Sequence, residues 1–337
     1  MKKYKINKIS EIKEEQLLDF YKKVYKNRYK NLANNWRWWY RAGSSGYESL
    51  ILSIDNKIIG QAGLLPIELN ILGKKTSAIW FVDFAILHEF QGKGYGKILT
   101  KEWMRICPNQ ITFCNNLSLR VFKKLGWKNN LSTKRLAKPL NALKFLPGFK
   151  KFNFNLSSSA LKYFIKRKYR QEFPIKVYKI NENFKIINDS FKIRLVEKNN
   201  NFAEIVRDEA WLHWRLIECP YKKDIYFFEH KNNFAIVHIF TIGNVKKLNI
   251  LYTYSIDNPD EETLFTKIIN WALNNNIDLV WAIKRNNEFK KIFPKIINKS
   301  INFASWSSDN KISEILQNGL LDPQGIDSDI DSNLYIE

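Results

Sequence analysis

One stretch constrains this chain more than any other. The apolar run Ala78-Ile-Trp-Phe-Val-Asp-Phe-Ala-Ile-Leu87 leads through Gln91-Gly-Lys-Gly-Tyr-Gly96 into a segment with Ile98, Leu99, Trp103 and Ile106 on one side. An apolar run of that kind suits a strand buried on both faces in the middle of a sheet. A glycine-rich turn between such a strand and a helix aims its backbone N–H groups, together with the helix dipole, at a single spot. That arrangement receives a pyrophosphate. Two common phosphate loops do not fit: no Ser or Thr follows a Gly-Lys pair, and the loop does not follow the first strand of a βαβ unit.

The flanking sequence supplies the rest of a domain. Leu17, Leu18, Tyr21, Val24 and Tyr25 keep helical spacing behind Ser10 as N-cap, predicting an amphipathic helix within Glu11–Tyr29. An aromatic knot (Trp36, Trp38, Trp39, Tyr40), a Gly43–Gly46 turn and a hairpin (Leu50–Ile54, Asp55-Asn-Lys57, Ile58–Leu65) follow. After the loop and its helix come a short strand Ile111–Cys114, a helix carrying Leu117, Val121, Phe122 and Leu125 that stops at Gly126, and a strand over 131–138. Helix, hairpin, strand, helix, strand, helix, strand is an α/β order with a mixed sheet.

At 337 residues the chain has room for two such domains. Residues 134–171 contain many Lys and Arg, no Asp or Glu, and Pro139, Pro147 and Gly148, which marks a junction. Beyond it the first half is echoed: Trp211-Leu-His-Trp214, Ile225–His230, Lys231-Asn-Asn, Phe234–Phe240, then Leu251–Ile256, Leu264–Leu273 and Leu279–Ile283 with Asn286–Phe293. Where the first half has glycines, the second has Asp257-Asn-Pro-Asp-Glu-Glu262, which repels phosphate. The expected limits are a domain at 1–138, a basic linker at 139–190 and a degenerate copy at 191–337.

Gln91-Gly92-Lys93-Gly94-Tyr95-Gly96 resembles the Q/R-x-x-G-x-G/A acyl-CoA loop of the GNAT (N-acetyltransferase) superfamily. Asn115-Asn-Leu-Ser118 through Phe122 to Gly126-Trp127 resembles that family's Asn-led helix. The resemblance covers residues 1–138 well and the second half through the repeat. It implies two mixed-sheet α/β domains in tandem and an acetyl-CoA or other acyl-CoA cosubstrate, with no metal. Phe84, Ala85 and Ile86 would run beside the pantetheine arm, one strand N–H serving as oxyanion donor. Residues 91–96 would hold the pyrophosphate, Lys93 or Lys97 would add charge, and Asn115 and Ser118 would contact the arm. The chemistry implied is direct attack of an amine on the thioester.

Asp83 is the first candidate for the base, being the one carboxylate inside the apolar strand, where it must be paired, protonated or functional; a buried structural pair is the competing reading. Glu89 and His88 at the loop mouth are second choices. Phe122 stands where the family often has a tyrosine that protonates the leaving thiolate. Trp36 and Trp39 offer faces for a sugar ring and Arg37 and Arg41 a clamp for a diphosphate, with core packing as the alternative for the tryptophans. The acceptor implied is a small-molecule amine, best an amino sugar or anionic sugar nucleotide of bacterial surface polysaccharide. Alternatives are a protein, peptide or aminoacyl-type acceptor, or a module without catalysis that binds anionic polymer or membrane.

A formal charge of +22 calls for an anionic partner, although the abundance of Lys, Asn and Ile also fits an AT-rich coding bias. No nucleic-acid-binding signature appears, and 134–171 is a candidate for weak membrane-surface contact. Three scattered cysteines and no CxxC pair, with no apolar leader after the basic N-terminus, predict a cytoplasmic protein without structural metal. The oligomeric state is open.

Overall fold

The computed structural model describes residues 3–25, 28–41, 47–141, 144, 175–197, 203–255, 258–284, 297–318, 321 and 323–327. The Gly43–Gly46 turn, most of the basic stretch, the segment 286–293 and the acidic tail past 327 lie outside them.

The first half runs β1 (Lys5–Lys8), α1 (Glu14–Val24), α2 (Tyr29–Trp39), β2 (Leu50–Ile54), β3 (Lys57–Ile71), β4 (Lys74–Ile86), α3 (Tyr95–Ile106), β5 (Asn109–Cys114), α4 (Asn116–Lys123), β6 (Lys128–Asn130), β7 (Lys134–Pro139). The second half runs β8 (Lys176–Lys179), α5 (Phe184–Glu197), β9 (Ala203–Ile205), α6 (Glu209–Leu212), β10 (Ile225–His230), β11 (Asn233–Ile242), β12 (Val245–Tyr254), α7 (Asn258–Asn274), β13 (Leu279–Lys284), β14 (Ile297–Ser300), β15 (Asn302–Ser307), α8 (Asn310–Gln317). Apart from β9 and α8, the described elements of the second half repeat the order of the first. Both are mixed sheets flanked by helices, as the pattern of the sequence predicts. The first helix is shorter than expected: Ser10 sits in a separate turn, and α1 begins after Lys13 without a side-chain cap. Its charges still follow the dipole, with Glu14 and Glu15 at the start and Lys22 and Lys23 at the end.

The sheets do not respect the chain's midpoint. Their orders are β1-β2-β3-β4-β5-β15-β6 and β8-β10-β11-β12-β13-β7-β14, so each half donates its last strand to the same slot in the other sheet. Register shows the exchange: Asn302↔Cys114 to Ser307↔Asn109 places β15 on β5, and Lys134↔Lys284 to Pro139↔Leu279 places β7 on β13. Residues 134–138, assigned by the expected limits to the first domain, therefore pair in the second sheet. β9 adds to the end of β3 at Leu69↔Ile205.

The join is pseudo-symmetric at its centre. Trp38 Nε1 donates to the Trp214 carbonyl at 3.0 Å, and Trp214 Nε1 donates back to the Trp38 carbonyl at 2.8 Å. One buried cluster runs through both halves, from Ile9, Trp36 and Trp80 to Trp211, Tyr252 and Ile326. A core shared in this way leaves neither half a closed folding unit.

Candidate functional site

The site begins where β4 leaves β5. The two parallel strands pair at Ile79↔Gln110 and Trp80↔Ile111, and Thr112 Oγ1 donates to the Phe81 carbonyl at 2.7 Å as they part. On its other edge β4 stays on β3, but the register slips between Gln61 and Gly63, opposite Asp83, whose φ is +49°. Only glycine fits at 63, because a Cβ there would lie 2.7 Å from the Val82 carbonyl oxygen and 2.8 Å from the Tyr40 ring. The bulge re-aims the end of the strand. The Leu87 N–H bonds the Ile59 carbonyl at 2.8 Å, so by alternation the backbone groups of Ile86 face away from β3, toward the gap. Gln91 Nε2 caps the Ile86 carbonyl at 2.9 Å.

That gap is a cavity of about 570 Å³. β4 contributes Phe84, Ala85 and Ile86; the loop and α3 contribute His88, Gln91, Gly92, Gly94, Gly96 and Lys97; α4 contributes Leu117, Ser118, Val121 and Lys124 behind Asn115; and α1 contributes Lys23 and Val24. Gly92 and Gly94 have φ of +74° and +85°, and a Cβ at either would meet nothing within 4 Å. Bare backbone thus faces open space at the N-cap of α3, as a diphosphate requires. Asn115 caps α4, its Oδ1 accepting from the Ser118 N–H at 2.9 Å, which leaves the amide Nδ2 as a donor. Among the described residues the lining holds three lysines and no carboxylate. These residues fit a long apolar arm ending in phosphates.

Ten of the predicted cofactor residues line the cavity; two do not. Lys93 Nζ folds back on the Glu89 carbonyl at 2.7 Å, and Tyr95 is buried against Phe90. Both brace the loop. Lys23, Val24, Leu117, Val121 and Lys124 were absent from the prediction, and no local motif marks them.

Asp83 is not placed as a base. Its carboxylate sits 2.9 Å from Arg28 Nη1 and accepts from Tyr40 Oη at 3.1 Å, with the Asp83 and Arg28 side chains 2% and 6% exposed. Gln61 Nε2 donates to Tyr40 Oη at 2.7 Å, and Tyr25 Oη to the Asp83 carbonyl at 2.6 Å. Burial first, then the Asp83 charge, holds the Tyr40 hydroxyl well above its ordinary pKa, so it stays a donor. Asp83 thus pins α1 and α2 to the bulge, and it is absent from the cavity wall. Glu89 is solvated and paired with Lys57 at 3.1 Å; its own backbone N–H and that lysine lower its pKa. His88 alone of the three lines the cavity.

Phe122 has no proton to give and is fully buried, stacked on Trp127 and edge-on to Trp103. Cys114, just before Asn115, has its thiol pushed up to about 12 by burial. The acceptor candidates are dispersed. Trp36 and Trp39 are core residues, Arg37 pairs with Glu14 at 2.5 Å on the surface, and Arg41 lies over the Trp214 ring with Nη1 3.4 Å from the Pro66 carbonyl. None reaches the cavity, so the predicted sugar platform is not exposed there.

Residues 9–127 match the sequence model of the acetyltransferase (GNAT) family. No curated protein matches the sequence. Among solved structures, the chain is similar to a GCN5-related N-acetyltransferase from Kribbella flavida, with TM-score 0.58 at 10% identity over 89% of this chain and 70% of that one. A GCN5-related N-acetyltransferase from Anabaena variabilis gives 0.55 at 12% identity over 90% and 72%. Saccharomyces cerevisiae N-myristoyltransferase with bound myristoyl-CoA and inhibitors gives 0.61 at 15% identity over 91% and 80%. At these identities the likeness is one of fold, and it spans both halves.

Proposed function

We propose that this protein is an acyl-CoA-dependent N-acyltransferase, a reading supported by the match of residues 9–127 to the GNAT-family model and by the fold shared with N-acyltransferases along both halves. Its donor site is the cleft between β4, α3 and α4. The observation that carries this reading is the edge of β4 beyond Trp80 opening directly onto a bare-backbone loop in a cavity lined by Lys23, Lys97 and Lys124. An acyl-CoA bound there supplies an activated thioester. Gly92, Gly94 and the first turn of α3 hold the diphosphate, and Lys23, Lys97 and Lys124 neutralise it. The Phe84–Ile86 edge orients the arm, and its backbone N–H groups stabilise the negative charge that develops on the carbonyl oxygen.

The acceptor is an amine that attacks directly. A Cys114 thiol with pKa of about 12 is not a thiolate at neutral pH, so this chain offers no activated cysteine at the cleft. His88 is the proposed proton acceptor, as the base candidate that lines the cavity. Amino-sugar nucleotides and peptide amines stand level as acceptor classes once Trp36 and Trp39 are core residues. The test follows release of free thiol from acetyl-CoA across panels of both. Acceptor-dependent release that His88→Gln lowers is expected; absence of acetyl-CoA binding overturns the reading.

A further inference from the structure

The second half has the same parting of strands, but something already occupies it. β12 and β13 pair from Lys247↔Leu279 to Ile250↔Ala282, while β12 continues to Tyr254 on β11. Its other edge is therefore freed past Ile250, as that of β4 is freed past Trp80. At Thr253 that edge is taken by the side chain of Gln324. Its Oε1 accepts from the Thr253 N–H at 2.9 Å and its Nε2 donates to the Thr253 carbonyl at 3.3 Å. One carboxamide thus pairs with the backbone as a neighbouring strand would. Gly325 follows against the strand itself, where a Cβ would stand 3.4 Å from both Cα and O of Leu251.

The segment is fastened from behind. The Asp327 carboxylate takes Arg207 Nε at 2.7 Å and Nη2 at 2.5 Å, with those side chains 0% and 3% exposed, and its Oδ2 also accepts from the Gln324 N–H at 2.8 Å. Arg215 Nε donates to the Ile326 carbonyl at 2.9 Å. A bidentate, fully buried pair of this kind holds a fixed geometry. At the far end of the cleft, where the first half has glycines, α7 opens with Asp260 and Glu261, and Glu261 accepts from Thr253 Oγ1 at 3.2 Å. Both parts of a donor site are thereby cancelled: the strand edge is filled and the phosphate end is acidic.

We propose that residues 324–327 are a built-in occupant of the second cleft, with the Gln324 carboxamide in the place of a ligand amide, and that the chain consequently has a single acyl-CoA site. The count of sites rests on the reading of the first cleft; the occupancy of the second does not. Two measurements on the full chain separate them. Calorimetric titration with acetyl-CoA should give one equivalent bound. Amide hydrogen exchange should show the Thr253 N–H protected, its exchange accelerating at least tenfold in Gln324→Ala. Amides of β4 report whether the variant remains folded. Two equivalents bound, or a Thr253 amide indifferent to Gln324→Ala, overturns the proposal. No acetyl-CoA binding sinks the reading of the first cleft, and the exchange data still decide the second.

Discussion

The Asp83→Asn substitution separates a base from a structural anchor. Asparagine keeps the shape and tolerates the φ of +49° at this bulge, so the change removes charge with little steric cost. What it leaves is Arg28, 6% exposed, with its guanidinium 2.9 Å from a group that no longer bears charge. Breaking a buried pair from one side typically costs about 3–5 kcal/mol. Spread over a shared core of this size, that amounts to a fall in Tm on the order of 10 °C. Screening by salt should alter it little, since the pair is out of solvent. Adding Arg28→Met should restore a large part of the loss by removing the stranded charge. Thermal and urea unfolding of the single and double variants, with acetyl-CoA titration alongside, measure this. Stability within about 1 kcal/mol of wild type, together with a hundredfold loss of turnover, would refute the anchor and reinstate Asp83 as base.

Lys23→Gln and Lys124→Gln remove exposed charges from the cavity mouth, each worth up to about 1 kcal/mol or roughly fivefold in acetyl-CoA affinity at low salt; titration at two ionic strengths should show the difference shrinking at the higher one. Cys114 should resist alkylation: burial raises its pKa, so the thiolate is present only as pH climbs toward about 12, and at pH 8 labelling should run roughly a thousandfold slower than for a thiol of pKa 9 and gain tenfold per pH unit. Labelling at the rate of a free thiol contradicts this. Residues 1–141 expressed alone lack β15 and carry an orphan β7, so size-exclusion chromatography should show a strand-exchanged dimer or aggregate; a stable monomer would mean the exchange is dispensable.

The local grammar of the chain was legible. The glycine loop, the helix it opens, the helix led by Asn115, and the hairpin, strand, helix, strand order among the described residues of both halves rest on short-range patterns and appear where residue spacing puts them. The exchange of β7 and β15 was not legible, because two equivalent strands with equivalent slots carry no local mark of which sheet they join. Asp83 depended on a single residue of register: the slip opposite Gln61–Gly63 decides which way every later side chain of β4 points. Lys23 and Lys124 join the site only through the packing of α1 and α4 against the loop. For Trp36 and Trp39, of the two readings the sequence offered, a ligand face or core packing, the structure has core packing, and the recurrence of tryptophan in the second half was the better guide.

The central claim is that the bare backbone at Gly92 and Gly94 receives the diphosphate of an acyl-CoA. Titration of the wild-type chain and of Gly94→Glu with acetyl-CoA, with free CoA as control, tests it most directly, because the new carboxylate would stand in the space the phosphates need. Saturable binding of both ligands by the wild type, weaker at high salt and abolished in a folded Gly94→Glu variant, is the predicted result. Binding that survives Gly94→Glu unchanged, or no binding by the wild type, would contradict it.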